Sequence, residues 1–104
     1  MIQPSLHDLI ELLVNLPEYN LSIGDKGMII DSLDESHFEV EFIEEAGETT
    51  EPCVLSTEQF IVVWQSETEA WLSTTDKLIA IVNNLPEEKR EEILNFAQFL
   101  LQKI

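Results

Sequence analysis

Basic residues are scarce in this chain of 104 residues, which carries five Lys and Arg against 21 Asp and Glu. Lys26 is the only base among residues 1–65, which hold fourteen acids and therefore a net charge of −13. Residues 66–104 carry seven acids and four bases, and the whole chain reaches −16. Proteins bind nucleic acid largely through Lys and Arg at the phosphates. We therefore expect no nucleic-acid partner.

Cysteine and long apolar runs are scarce as well. The single cysteine, Cys53, excludes an internal disulfide, and without a basic neighbour in sequence it is expected to be a buried structural thiol. No apolar run approaches the roughly 18 residues that cross a bilayer, and no basic segment precedes an apolar stretch as in a secretory signal. These absences predict a cytoplasmic protein that does not bind membranes.

The first sixty residues show the pattern of a small β domain. Apolar and polar residues alternate from His37 to Phe42, which predicts a strand. Two glycines, Gly24 and Gly27, frame a turn before a further strand. Cys53–Ser56 and residues 61–64 predict two more strands, whereas residues 6–14 fit either a helix turn or a first strand. Five short strands in this length predict a small, strongly bent barrel.

Four segments of this region resemble a small bacterial SH3-like barrel family of uncharacterised function. In chain order they are Asp8-Leu9-Ile10, Leu16-Pro17-Glu18, the glycine turn with Met28-Ile29-Ile30, and Phe38-Glu39-Val40-Glu41-Phe42. The resemblance covers residues 6–64 and implies that residues 6–14 form a strand. It also implies a binding barrel without a known active site, sometimes encoded next to toxin-like genes. Met28 departs from the family pattern, in which threonine is commoner.

The C-terminal part has the pattern of two helices. Residues 66–75 are polar apart from an Ala-Trp-Leu segment, and they are predicted to be a linker. Thr74 or Thr75 is the expected N-cap of a first helix over residues 76–83. Pro86 begins a second helix that extends to about Gln102. The chain is thus predicted to be mainly β with C-terminal α: an SH3-like five-stranded barrel (1–65), a linker (66–75) and a helical pair (76–104).

The second helix carries an apolar band that is too wide to remain in water. At about 1.5–3 kcal/mol for each large side chain fully buried, its exposure would be costly. The pattern leaves open whether this band packs in cis against the barrel or in trans against another chain. We predict that the protein is a homo-oligomer held together by this band. This segment resembles a small antitoxin-like family. The predicted oligomerisation residues are Ile93, Phe96, Ala97, Leu100, Leu101 and Ile104.

Residues with catalytic or metal-binding potential are few. His37, Glu39 and Glu41 share one face of their strand, a set compatible with zinc, but we favour a solvated outer face and predict no metal. Glu44 and Glu45 could act as a general acid and a general base only if one had a higher pKa than the other, and no neighbouring residue in the sequence would cause such a difference. The glycine turn leads into a strand, not into a phosphate-binding helix. We therefore predict no catalytic residues, no cofactor and no enzymatic activity.

The acids indicate a protein-interaction function. We expect an acidic face to attract a basic protein partner electrostatically. The sharpest form of this hypothesis is an antitoxin or immunity-like protein that neutralises a basic toxin. The alternatives are an accessory subunit of a larger bacterial complex and, less favoured, a small metal-dependent enzyme. The predicted partner-binding residues are Asp34, Glu35, Glu39, Glu41, Glu44, Glu45, Glu48 and Glu51.

Overall fold

The computed structural model describes residues 3–42 and 51–103, which form six strands followed by two helices. The predicted composition, mainly β with C-terminal α, is confirmed. A single 3-10 turn, Pro17–Tyr19, lies between the first two strands. The strands are β1 (Leu9–Leu12), β2 (Lys26–Ser32), β3 (His37–Phe42), β4 (Cys53–Ser56), β5 (Phe60–Gln65) and β6 (Ala70–Trp71), and the helices are α1 (Thr74–Asn83) and α2 (Glu87–Gln102).

The strands form one antiparallel sheet in the order β4-β3-β2-β1-β5-β6. The predicted closed five-stranded barrel is therefore wrong, because the sheet is open and has six strands. The sixth strand comes from the segment predicted to be a linker, where Trp71 pairs with Trp64 and Ala70 pairs with Gln65. Only two residues long, β6 is too short to show a period in the sequence. Its pairing with β5 is what makes it a strand.

The hydrophobic core lies on one face of the sheet. Phe38 on β3 and Phe60 on β5 are separated by β2 and β1, so a flat sheet would hold them about 14 Å apart. Their ring centroids lie 6.1 Å apart in a T-shaped contact. The sheet therefore curves around the core. The buried apolar residues are Ile10, Leu12, Leu16, Leu21, Ile29, Phe38, Val40, Phe42, Cys53, Leu55, Phe60, Val62 and Val63.

Two irregularities and two glycines help the sheet to curve. The register shifts between Ile29 and Asp31 in β2 and between Leu9 and Ile10 in β1, and such bulges bend a strand. Gly24 has a φ of 91°, which side chains rarely tolerate. At Gly27 a Cβ atom would lie 2.7 Å from Val40 Cγ1 and 2.9 Å from Phe42 Cε1. Gly27 thus allows β3 side chains to pack over β2.

The chain divides into two compact units, Met1–Ser73 and Thr74–Ile104. In the second unit, α1 begins at Thr74, two residues before the predicted start at residue 76, so Thr74 and Thr75 lie within the helix and the predicted N-cap is wrong. Pro86 is extended and immediately precedes α2, so this helix begins at Glu87, one residue after the predicted start at Pro86. Among the described residues of the two helices none is buried. Within the described ranges, no helix has the length and apolar character that a membrane crossing needs.

Candidate functional site

The turn between β2 and β3 is organised around Asp34. The backbone N–H and the hydroxyl of Ser36 donate to Asp34 Oδ1 at 2.8 and 3.2 Å, and His37 Nδ1 lies 2.9 Å from the same oxygen. These contacts, led by the Ser36 N–H and followed by His37, lower the pKa of Asp34 to about 2. The turn therefore presents a carboxylate that stays ionised far into the acidic range.

Further acids lie on the outer face of the sheet, opposite the core. Glu39 and Glu41 on β3 are half-buried, and their register positions alternate with the buried Phe38, Val40 and Phe42. The predicted placement of both glutamates on one face is confirmed. Asp31 on β2 is directly opposite Glu39. Like charges in this position destabilise a sheet, so this arrangement carries an electrostatic cost.

We call Asp31, Asp34, Glu35, Glu39 and Glu41 the acidic patch. Asp34 and Glu35 are exposed in the turn, and the other three occupy the adjoining strands. Sequence reasoning missed Asp31, because only the β2–β3 register places it opposite Glu39. Of the other residues predicted for the acidic face, Glu51 is exposed before β4, and Glu44, Glu45 and Glu48 lie outside the described residues.

The acidic patch has little cationic compensation within its own sheet. Between residues 3–42 and 51–73, the only Lys or Arg is Lys26, which lies opposite Glu11 on β1. Within these described residues, the patch makes one ion-pair contact, in which Asp34 Oδ1 lies 2.9 Å from His37 Nδ1. Within the described part of this unit, the patch therefore keeps most of its negative charge.

A row of cross-strand neighbours begins at Glu41 in the acidic patch and continues across the outer face through four apolar residues. Glu41 pairs with Met28, Met28 with Leu9, Leu9 with Trp64, and Trp64 with Trp71. The two tryptophan rings lie 6.3 Å apart, and Trp71 is 64% exposed. We call these five residues the outer row. The outer face of such a sheet is ordinarily polar, whereas here it carries the half-buried Trp64 beside the exposed Trp71.

The possible metal set does not form a site. His37, Glu39 and Glu41 are two residues apart along β3, which separates neighbours by about 7 Å. His37 instead contacts Asp34. Within residues 3–42 and 51–103, no three His, Cys, Asp or Glu side chains come together in a group that could hold a metal ion.

Two further side chains are buried and serve the fold. Asp8 is 1% exposed and accepts hydrogen bonds from the backbone N–H groups of Ser66, at 2.8 Å, and Ser5, at 2.9 Å. The sequence did not predict this structural role of Asp8, because its partner Ser66 lies 58 residues further along the chain. Cys53 is buried in the core, and its pKa is raised by burial and then by the Glu18 carboxylate. Its thiol thus remains protonated, as expected for a structural cysteine.

Five of the six predicted oligomerisation residues lie on α2. Ile93 is half-buried and Ala97 exposed, while Phe96, Leu100 and Leu101 are between 48% and 68% exposed. Ile104 lies outside the described residues. The rings of Phe96 and Phe99 stack at 6.2 Å, and Lys103 Nζ lies 4.8 Å from the Phe99 centroid. The helix thus offers a continuous apolar surface with one cation at its C-terminal end.

Comparison with protein families shows similarity over the sheet. A family described as Domain of unknown function (DUF4926) matches residues 6–62, which include β1 to β4 and the first half of β5. No curated protein and no solved structure gives a significant match. The matched range includes the whole acidic patch and ends before Trp64.

Proposed function

This chain belongs to the family described as Domain of unknown function (DUF4926), and we propose that it is a non-enzymatic interaction module whose acidic patch binds a basic protein. The observation that carries the proposal is the pairing of Asp31 with Glu39 on the outer face. Their mutual repulsion costs stability in the free sheet. A cationic partner would offset that cost, so the free energy gained on binding favours a partner rich in Lys or Arg.

The outer row supplies the apolar part of the same contact surface. Met28 and Leu9 connect Glu41 to Trp64 and Trp71, so that acidic and aromatic groups adjoin on one face. Tryptophan rings attract Arg and Lys side chains by cation–π contact and provide large contact areas. We therefore propose a basic partner that places both cations and apolar side chains on this face.

An antitoxin or immunity-like role, with a cationic toxin as the partner, is the sharpest form of this proposal. An accessory subunit docking a stable basic protein is the alternative. The neighbouring genes distinguish the two, since a short overlapping gene for a basic, toxic product favours the first and genes for complex subunits favour the second. The geometry of His37, Glu39 and Glu41 gives no support to the metal-dependent alternative.

We also propose that the protein acts in the cytoplasm and self-associates through α2. The single buried Cys53 suits a reducing compartment. The exposed side chains of α2 support association, because covering apolar area is the main driving force for it.

The intrinsic fluorescence of the protein provides a direct test of binding. Trp64 and Trp71 are the only tryptophans of the chain, and both belong to the outer row. We expect a synthetic peptide of six arginines interspersed with leucine and alanine to shift their emission, with an affinity that falls as salt rises. The double variant Glu39→Gln/Glu41→Gln should bind this peptide about three- to tenfold more weakly.

The matched control is Glu87→Gln/Glu88→Gln, which removes the same charge from α2. It should leave the peptide affinity within about twofold, because its charges lie in the other unit. Equal losses in the two double variants would indicate attraction to net charge alone and would contradict the proposed patch.

A further inference from the structure

In the helical unit, hydrogen bonds hold the turn between α1 and α2, while many apolar side chains of the two helices are exposed. Arg90 Nε donates to the carbonyl of Val82 at 3.0 Å, and Arg90 Nη2 donates to that of Asn83 at 3.2 Å. The side chain of Asn84 donates to Ala80 O at 2.8 Å. These bonds satisfy carbonyls that are left over at the C-terminal end of α1. None of the described residues in α1 or α2 is buried, so the unit has a defined turn without a core of its own.

The exposed apolar area of α2 reaches the lower limit for a dimer. Five large apolar side chains on this helix are 47–68% exposed. If each offers on the order of 100 Å², about half of what a fully buried aromatic contributes, two copies bury roughly 1,000 Å² in total, about the least that a specific interface needs. These side chains are Leu94, Phe96, Phe99, Leu100 and Leu101.

The charges of α2 are distributed unevenly along its axis. Residues 87–92 contain four glutamates and two bases, for a net charge of −2, whereas residues 93–102 carry no charge and are followed by Lys103. A parallel pair of α2 helices would bring the two acidic ends together. An antiparallel pair brings each acidic end to the Lys103 end of the other copy and also opposes the helix dipoles favourably.

We propose that two copies of this chain associate through an antiparallel α2–α2 contact whose two-fold axis passes near Ala97. Lys103 of one copy then lies next to Glu92 of the other. At 100° per residue, these two residues lie on the same flank of the apolar band as Phe96. The inference specifies the self-association proposed above and rests on it.

The position of the axis follows from the helix geometry. Residues 92 and 103 lie about 8 Å on either side of a point between residues 97 and 98, at 1.5 Å per residue. The small side chain of Ala97 at this point allows the two backbones to approach closely, while the Phe and Leu side chains around it fill the interface. The contact is isologous, so the same surface serves both copies.

A charge exchange tests the orientation. Lys103→Glu should raise the dimer dissociation constant about three- to tenfold by placing like charges together, and Glu92→Lys should do the same. The double variant Lys103→Glu/Glu92→Lys should return to within about twofold of the unchanged protein. Lys26→Glu, which makes the same charge change on the sheet, is the control. Sedimentation equilibrium measures all four variants.

Cysteine cross-linking provides a second readout. In a Cys53→Ala background, Ala97→Cys should form a disulfide-linked dimer on mild oxidation. Ile93→Cys should not form this disulfide. In an antiparallel pair its two copies lie about 13 Å apart along the helix axis, which is beyond the reach of a disulfide. Asn95→Cys, on the opposite side of the helix from the apolar band, should also remain unlinked.

Each contrary result has a distinct meaning. Linkage of both Ala97→Cys and Ile93→Cys would show a parallel pair and overturn the antiparallel contact. A dimer that is insensitive to the charge variants, with Ala97→Cys unlinked, would overturn this interface but leave self-association standing. A protein that is monomeric at all concentrations would overturn both. The peptide test of the acidic patch is independent of these outcomes, because it involves the other unit.

Discussion

Asp8 and Asp34 belong to the same acidic sequence but have opposite roles in the structure. Asp8 is buried and connects the N-terminal segment to Ser66, 58 residues further along the chain. Asp34 is exposed and is held in its turn by neighbours within three residues. The negative charge of the chain is thus divided between a buried structural carboxylate and carboxylates that face outwards.

The lowered pKa of Asp34 predicts a specific pH dependence. Its pKa is about 2 in the folded protein against 3.8 as the ordinary value. Because the folded state favours the carboxylate, Asp34 stabilises the protein above pH 3.8, and this contribution is lost as the pH falls through about 2. A carboxyl NMR titration of Asp34 should give a midpoint near 2.

His37→Ala provides a graded control for this titration. It should raise the midpoint only part of the way to 3.8, since the Ser36 backbone N–H, the largest cause of the shift, remains. A midpoint near 3.8 in the unchanged protein would contradict the hydrogen-bonded turn.

At the scale of the elements, the packing of β3 over β2 depends on Gly27. A methyl group there would lie 2.7 Å from Val40 Cγ1 and 3.0 Å from the Glu41 carbonyl oxygen, closer than any ordinary contact. Gly27→Ala should therefore lower the free energy of unfolding by about 1–3 kcal/mol. Urea denaturation followed by circular dichroism measures the change.

Val40→Ala provides the matching background for this substitution. It removes the closest of the clashing atoms, Val40 Cγ1, so Gly27→Ala should cost less there than in the unchanged protein. Equal costs in both backgrounds would contradict the steric explanation.

At the scale of the whole molecule, the two units differ sharply in charge. The unit Met1–Ser73 holds sixteen acids against Lys26, for a net charge of −15, whereas Thr74–Ile104 holds five acids and four bases, for −1. Copies of the sheet unit therefore repel one another. This difference in charge supports both proposals: self-association through the nearly neutral helices and binding of a basic partner by the sheet unit.

This division predicts the behaviour of a truncated protein that ends at Ser73. The hydrophobic core cluster lies within residues 10–62, so truncation removes no core residue. We expect residues 1–73 to fold, to be monomeric by light scattering and to retain the arginine peptide affinity within about twofold. An oligomeric truncated protein would contradict association through α2, and an unfolded one would show that the sheet depends on the helices.

The amino-acid pattern alone was enough to locate the charge and the elements that have a local period. The boundaries predicted for β3 and β4 match the structure, because alternation and turn residues are readable within a few positions. The apolar band of α2 was readable for the same reason. Similarly, the scarcity of Lys and Arg is a property of composition and needs no fold to establish it.

How these elements combine is visible only in the folded chain. The open six-stranded sheet, the pairing of Asp31 with Glu39, the outer row and the burial of Asp8 all depend on strand register or on contacts between distant segments. Sequence periodicity specifies which face of a strand is apolar, but it does not specify which strand lies beside it. The proposed contact surface depends on which strands are neighbours, because its acids and tryptophans lie on different strands and come together only when the sheet forms.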